Sequence, residues 1–102
     1  MGSRQIARRI ALREQARADI ADAVEWYQRR GLVSEFLKAF EAALATIRQN
    51  PLQYQVVARG IRRAPLKRFP YGLMYFVDED EVVILTCFHD RRDPRRWRDL
   101  IQ

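Results

Sequence analysis

The feature that most limits the fold of this chain is a pair of adjacent helical patterns in its first half. In residues 15–30, and again in residues 33–50, apolar side chains recur at the spacing of an α-helix that buries one face. Gly31 provides a left-handed cap between the two helices, and Pro51 ends the second. Helices joined by so short a turn must run antiparallel, and their two apolar stripes need a β-sheet to cover them.

Strand-like patterns lie on both sides of this hairpin. Residues 5–13 nearly alternate between apolar and polar side chains, which is typical of a half-buried strand. Residues 78–81 are all acidic and predict a hairpin turn, while the unbroken apolar run 82–88 predicts a central strand covered on both faces. Pro65 lacks a backbone N–H and predicts an edge strand or a bulge. After the helices the strand-like pattern continues through residues 56–59, 61–69, 71–77 and 82–89.

These patterns predict an α+β fold with the element order β-α-α-β-β-β. The helical hairpin packs on one face of an antiparallel sheet, and residues 91–102 form a short C-terminal helix or arm. The 102 residues form a single domain, 1–102, because two cores of half this size would each bury too little surface. The chain has no apolar run long enough to span a membrane and no apolar signal core, so we expect a cytoplasmic protein.

The sequence offers little for metal or cofactor chemistry. It contains one cysteine, Cys87, within a predicted core strand, and one histidine, His89. These exclude an internal disulfide and provide too few ligands for a zinc site. Because a glycine-rich phosphate loop and a nucleophile motif are also missing, we expect no metal and no cofactor.

Positive charge is concentrated in two short segments. The net charge is +6, the isoelectric point is near 10.2, and the excess lies within residues 59–68 and 91–98. Such clusters favour an acidic protein segment or a nucleic acid as partner. We expect Arg62 and Arg63 to be exposed there, so that reversing either charge would leave folding intact.

The same cations could also serve a ribonuclease, but the sequence does not supply a clear set of proton-transfer groups for one. Metal-free RNA cleavage needs a base for the 2′-hydroxyl, cations for the phosphorane and an acid for the leaving oxygen. Arginine and lysine supply the cations, but the base and acid must come from His89 or from Tyr54, Tyr71 and Tyr75.

Short motifs along nearly the whole chain occur in an order that resembles the ParE branch of the RelE/ParE toxin superfamily. Each motif is weak alone, and the resemblance rests on their succession. In chain order they are Ala18-Asp19-Ile20, Glu25-Trp26-Tyr27, Phe36-Leu37, Ala43-Leu44, Asn50-Pro51, Ile61-Arg62-Arg63, Arg68-Phe69-Pro70-Tyr71, Tyr75, His89, Arg92-Asp93-Pro94 and Trp97.

The resemblance implies a type II toxin, also called a plasmid stabilisation protein, whose first strand lies beside its last. It further implies a ParD-like antitoxin, encoded alongside, whose C-terminal segment folds onto the toxin in a hetero-oligomeric complex. For that contact we expect the apolar margin of the hairpin and an exposed sheet edge. The expected antitoxin-binding residues are Trp26, Tyr27, Arg30 and Phe40.

The resemblance leaves the cellular target open. ParE-like members inhibit DNA gyrase, whereas RelE-like members cleave mRNA on the ribosome and usually carry a Tyr or His near the C-terminus. The lack of a tyrosine after Tyr75 favours gyrase; a ribonuclease, or an inert member that retains only antitoxin binding, is the alternative. A ribonuclease would use His89, Arg62, Arg63 and Arg68. The expected target-binding residues are Arg62, Arg63, Lys67, Arg68, His89, Arg91, Arg92, Arg95 and Trp97.

Overall fold

Two helices lie on one face of a five-stranded sheet in the computed structural model, which describes residues 9–91. The strand order is β1-β5-β4-β3-β2, and the predicted α+β fold is confirmed. The segment 56–59 forms a strand of its own, which adds one strand to the predicted order. The elements are β1 (Arg9–Leu12), α1 (Glu14–Gln28), α2 (Val33–Gln49), β2 (Val56–Ala58), β3 (Ile61–Pro65), β4 (Tyr71–Asp78) and β5 (Glu81–His89).

The sheet is mixed, where the sequence pattern predicted an antiparallel one. Strands β2 to β5 form an antiparallel meander, but β1 runs parallel to β5, with Arg9 opposite Glu81 and Leu12 opposite Ile84. The first strand thus lies beside the last, as the family resemblance implied. Whether β1 runs parallel or antiparallel to β5 depends on the path of the chain through the elements between them. The alternation of apolar and polar residues within β1 is the same in both cases and does not predict the direction. The predicted C-terminal helix or arm lies outside the described residues except for Arg91.

The two strand-level predictions have different outcomes: β3 lies between β4 and β2 and is not an edge strand, whereas β5 is central. Pro65 ends β3 opposite Gly72, and β2 pairs only with Ile61 and Arg62, so the missing N–H of Pro65 faces no partner on the β2 side. Strand β5 is central and has buried side chains on both faces. No helix within residues 9–91 is long and apolar enough to cross a membrane.

The main core joins the helices to the sheet through a cluster of aromatic rings. Tyr27 on α1 stacks on Phe36 of α2, with ring centroids 5.2 Å apart, and meets Phe69 edge-on at 4.9 Å. Phe36 lies edge-on to Tyr71 at 5.5 Å. Offset and edge-to-face arrangements of this kind contribute beyond the apolar area that they bury. The cluster therefore fixes the hairpin turn over the end of the sheet where β3 leads into β4.

A smaller apolar cluster covers the opposite face of the sheet. It is built on the buried side chains of Ile61, Met74 and Phe88. The two faces alternate along each strand, because successive side chains point to opposite sides.

A buried carboxylate ties α1 to β5. Asp19 accepts hydrogen bonds from the hydroxyl of Thr86 and, at 3.2 Å, from the backbone N–H of Cys87. These residues follow Leu85, which has no partner on β4 and marks a bulge in the pairing. Burial and the nearby Asp19 carboxylate raise the pKa of the Cys87 thiol to about 12, so it stays protonated at neutral pH.

Replacing Asp19 with alanine should destabilise the protein by about 2 kcal/mol, because it leaves the Thr86 hydroxyl and the Cys87 N–H buried without this acceptor. Urea unfolding followed by circular dichroism measures the effect. Asp22→Ala is the control, since Asp22 lies exposed on the same helix and should change stability by less than about 0.5 kcal/mol. Equal losses in the two variants would contradict the role given to Asp19.

Candidate functional site

Strand β3 sends its two arginines to opposite faces of the sheet. Arg62 shares a face with Ala64, which belongs to the core under the helices, whereas Arg63 shares a face with Ile61 of the second cluster. The clustering of positive charge in the sequence predicts one site for these two neighbours. The two-residue period of a strand separates them, and they have different partners.

Arg62 holds the loop that follows α2. Its Nη1 donates hydrogen bonds to the backbone carbonyls of Leu52, at 3.0 Å, and Tyr54, at 2.7 Å. The hydroxyl of Tyr75 donates to the carbonyl of Pro51 at 2.6 Å and so anchors the same loop. Arg62 and Arg63 are both half-buried, so the expectation that these two residues are exposed is wrong for each. Burial raises the pKa of Tyr75 to about 12, although the Arg62 charge acts in the opposite direction.

Arg63 lies across β4 on the opposite face. It forms an ion pair, Nη2 to Oδ1, with Asp90, the residue after β5. Between them Gly72 leaves room for the guanidinium: a Cβ at this position would lie 2.7 Å from Nε of Arg63. The side chains of Arg63 and Asp90 remain 30% and 42% exposed. A glycine in mid-strand commonly marks such a close approach.

Two further predicted target-binding residues lie in the turn between β3 and β4. Lys67 and Arg68 are exposed there, and Arg68 has a φ of 73°. The turn is closed by a hydrogen bond from the N–H of Leu66 to the carbonyl of Tyr71 at 2.9 Å. Lys67 and Arg68 also line a groove against Lys38 of α2.

His89 ends β5 beside this turn. Its ring lies edge-on to Tyr71, with centroids 4.9 Å apart. The backbone N–H of Arg91 donates to Nδ1 of His89 at 3.1 Å. A ring nitrogen that accepts a hydrogen bond carries no proton, so the neutral ring is protonated on Nε2. In this arrangement His89 offers an N–H rather than a free lone pair at Nε2.

Of the predicted target-binding residues within 9–91, all except Arg62 therefore lie toward one end of the sheet, whereas Arg62 is turned to the loop after α2. Tyr71, which begins β4, pairs with His89, which ends β5, and the N–H of Asp90 donates to the carbonyl of Pro70 at 2.8 Å. We call the set at this end the basic end. It consists of Arg63, Lys67, Arg68, His89 and Arg91. Arg92, Arg95 and Trp97 lie outside the described residues.

The four residues predicted to bind an antitoxin divide into two groups. Trp26 is 44% exposed, and the Arg30 guanidinium stacks 3.4 Å above its ring while donating to the Trp26 carbonyl at 3.0 Å. Tyr27 and Phe40 are buried in the core, because both lie on the helix faces that cover the sheet. The exposed part of the predicted surface is therefore Trp26 and Arg30.

Gly72 and Asp90 belong to the site but are not among the residues predicted from the sequence. A glycine within the apolar segment 71–77 is a signal for close approach of another group. Asp90 gave no signal, because its contact with Arg63 joins residues that are distant in sequence. Within the part of the chain that is described, no three histidine, cysteine or acidic side chains lie together in a way that could hold a metal ion.

Both the sequence and the fold of this chain, a helical hairpin on a mixed sheet, resemble those of known proteins. A family model, "ParE toxin of type II toxin-antitoxin system, parDE", matches residues 10–94. A solved chain from the "Chromosomal ParDE TA system from P. aeruginosa" has the same fold, with a TM-score of 0.69 at 17% identity over 85% of this chain and 98% of that chain. No curated protein matches the sequence. The chain belongs to the ParE toxin family of type II toxin-antitoxin systems.

Replacing Arg62 with alanine should destabilise the fold by about 1.5 kcal/mol, because two carbonyls of the loop after α2 lose a charged donor. Arg63→Ala is the matched control. It removes one arginine from the same strand, but the ion pair that it breaks with Asp90 is partly exposed to solvent, so we expect a loss below about 1 kcal/mol. Thermal and urea unfolding of both variants measure the difference, and equal stabilities would refute this division of the two arginines.

Proposed function

We propose that this toxin inhibits DNA gyrase in the cytoplasm and is neutralised by direct binding of a ParD-like antitoxin. Membership of the ParE toxin family supports the general role. The basic end supports the target, because a cationic surface favours the gyrase–DNA complex over an uncharged partner. In this proposal the basic end contacts the complex, together with the Arg92, Arg95 and Trp97 predicted from the sequence.

The observation that favours gyrase over mRNA cleavage is the state of the proton-transfer candidates. His89 uses Nδ1 as an acceptor, which leaves Nε2 protonated in the neutral ring and unable to take a proton from a 2′-hydroxyl. Tyr71 and Tyr75 are buried, and the Tyr75 hydroxyl is committed to the Pro51 carbonyl.

Purified toxin should block supercoiling by gyrase and raise the amount of cleaved DNA complex, and its induction in cells should produce filamentation and a DNA-damage response. The variant His89→Phe is the informative control. It retains an aromatic ring against Tyr71 but has no nitrogen for proton transfer. We expect His89→Phe to lose one contact of the basic end and so at most about tenfold of the growth inhibition, about 1.4 kcal/mol, whereas a ribonuclease would lose its activity altogether.

Two outcomes contradict this function. Codon-phased cuts in ribosome-bound transcripts, lost in His89→Phe together with toxicity, would identify an mRNA endonuclease. Unchanged growth after induction without an antitoxin would identify an inert member that retains only antitoxin binding.

Antitoxin binding is proposed at the Trp26–Arg30 stack on α1. Tryptophan and arginine are enriched among the residues that dominate protein interfaces. Here the arginine is already held over the indole ring, so a partner that covers the pair orders few additional side chains. An amphipathic antitoxin segment with acidic groups suits both the apolar ring and the cation.

Trp26→Ala should weaken binding of the antitoxin encoded beside the toxin gene by at least about tenfold, since truncation of a central interface tryptophan commonly exceeds 1.4 kcal/mol. Isothermal titration calorimetry measures the affinity. Leu52→Ala is a matched control, because Leu52 is 43% exposed and lies in the loop between α2 and β2. If both variants bind like the wild type, the antitoxin uses a different surface.

A further inference from the structure

The Arg63 guanidinium is held in one place by groups from two neighbouring strands. Its side chain leaves β3, passes over Gly72 of β4 and meets Asp90 just beyond β5. An exposed arginine on a strand ordinarily samples many rotamers and loses that freedom on binding. In this protein the guanidinium is already ordered, while 30% of the side chain stays accessible to a partner.

Stability alone does not account for this arrangement. An ion pair that is partly exposed, as this one is, contributes little to folding, and a glycine within a strand is unfavourable because it packs no side chain. Both features instead serve one geometric result, which is a guanidinium lying flat against the sheet. The ion pair involves Nη2 of Arg63, and a guanidinium has five N–H donors in a fixed fork, so further donors are available to an anionic ligand.

We propose that Gly72 and Asp90 are positioning residues that hold Arg63 for contact with a phosphate group of DNA. Arg63 lies with the other cations of the basic end, and a planar fork of donors matches phosphate oxygens. The inference rests on the proposed action at the gyrase–DNA complex and adds to it the DNA backbone as the group that is contacted. Gly72 and Asp90 act only through Arg63.

The decisive variant is Gly72→Ala, which changes no charge. Its new methyl group displaces Nε and Cζ of Arg63, the far end of a flexible side chain, so the strand itself need not move. We expect binding of a short fluorescein-labelled DNA duplex to weaken roughly tenfold, the loss expected for one charged hydrogen-bonded contact. The slope of log affinity against log salt concentration should fall by about one, as for one lost phosphate contact. The thermal midpoint should be unchanged.

A double-mutant cycle tests whether Gly72 acts through Arg63. Arg63→Ala alone should reproduce both the loss of affinity and the change in salt slope, and adding Gly72→Ala should have no further effect. Arg9→Ala removes the same charge from an ion pair with Glu81 at the start of β5, the opposite end of that strand from Asp90. This control should keep the wild-type salt slope within error.

Asp90→Ala separates positioning from simple charge. Net charge alone predicts that removing this carboxylate tightens DNA binding, whereas loss of positioning predicts weaker binding and a lower salt slope. Tighter binding by Asp90→Ala, an unchanged salt slope in Gly72→Ala, or a wild-type toxin that does not bind the duplex would each overturn the inference. The DNA-binding assay contains no gyrase. Failure of the toxin to inhibit supercoiling would therefore refute gyrase as the target without changing the conclusion about how Arg63 contacts DNA.

Discussion

The packing of the helical hairpin against the sheet depends on one group of aromatic rings. Tyr27, Phe36, Phe69 and Tyr71 come from both helices, the β3–β4 turn and β4, and each ring contacts at least two others. His89 joins the group through Tyr71. Phe69 and Tyr71 follow the turn residues Lys67 and Arg68. The core that stabilises the fold therefore also fixes the position of the basic end.

Periodicity within the sequence was sufficient to predict most of the fold. Apolar spacing gave the two helices, and the unbroken run 82–88 gave the central strand, because local side-chain pattern determines which face is buried. The direction of β1 was not predictable in this way. Its partner lies about seventy residues away, and a parallel and an antiparallel edge strand show the same alternation.

The site was harder to predict than the fold, for related reasons. The clustering of charge predicted one binding site that contains both Arg62 and Arg63. Strand geometry alone requires that neighbouring side chains point to opposite faces of the sheet. In α1 and α2 the corresponding constraint is the helical period of 3.6 residues. This period assigns Tyr27 and Phe40 to the core rather than to a binding surface. By contrast, the pairing of Arg63 with Asp90 depends on strand register, which the sequence of either segment does not contain.

The pairing of β1 with β5 also has a consequence for synthesis. Arg9 to Leu12 leave the ribosome early, yet their hydrogen-bonding partners, residues 81–84, are among the last of the described chain to be made. The Asp19 carboxylate likewise cannot accept hydrogen bonds from Thr86 and Cys87 until those residues have been synthesised. Contacts of such long sequence separation slow folding. A nascent or truncated chain that lacks β5 has neither its central strand nor a partner for its first, so the native surface forms only after β5 has been synthesised.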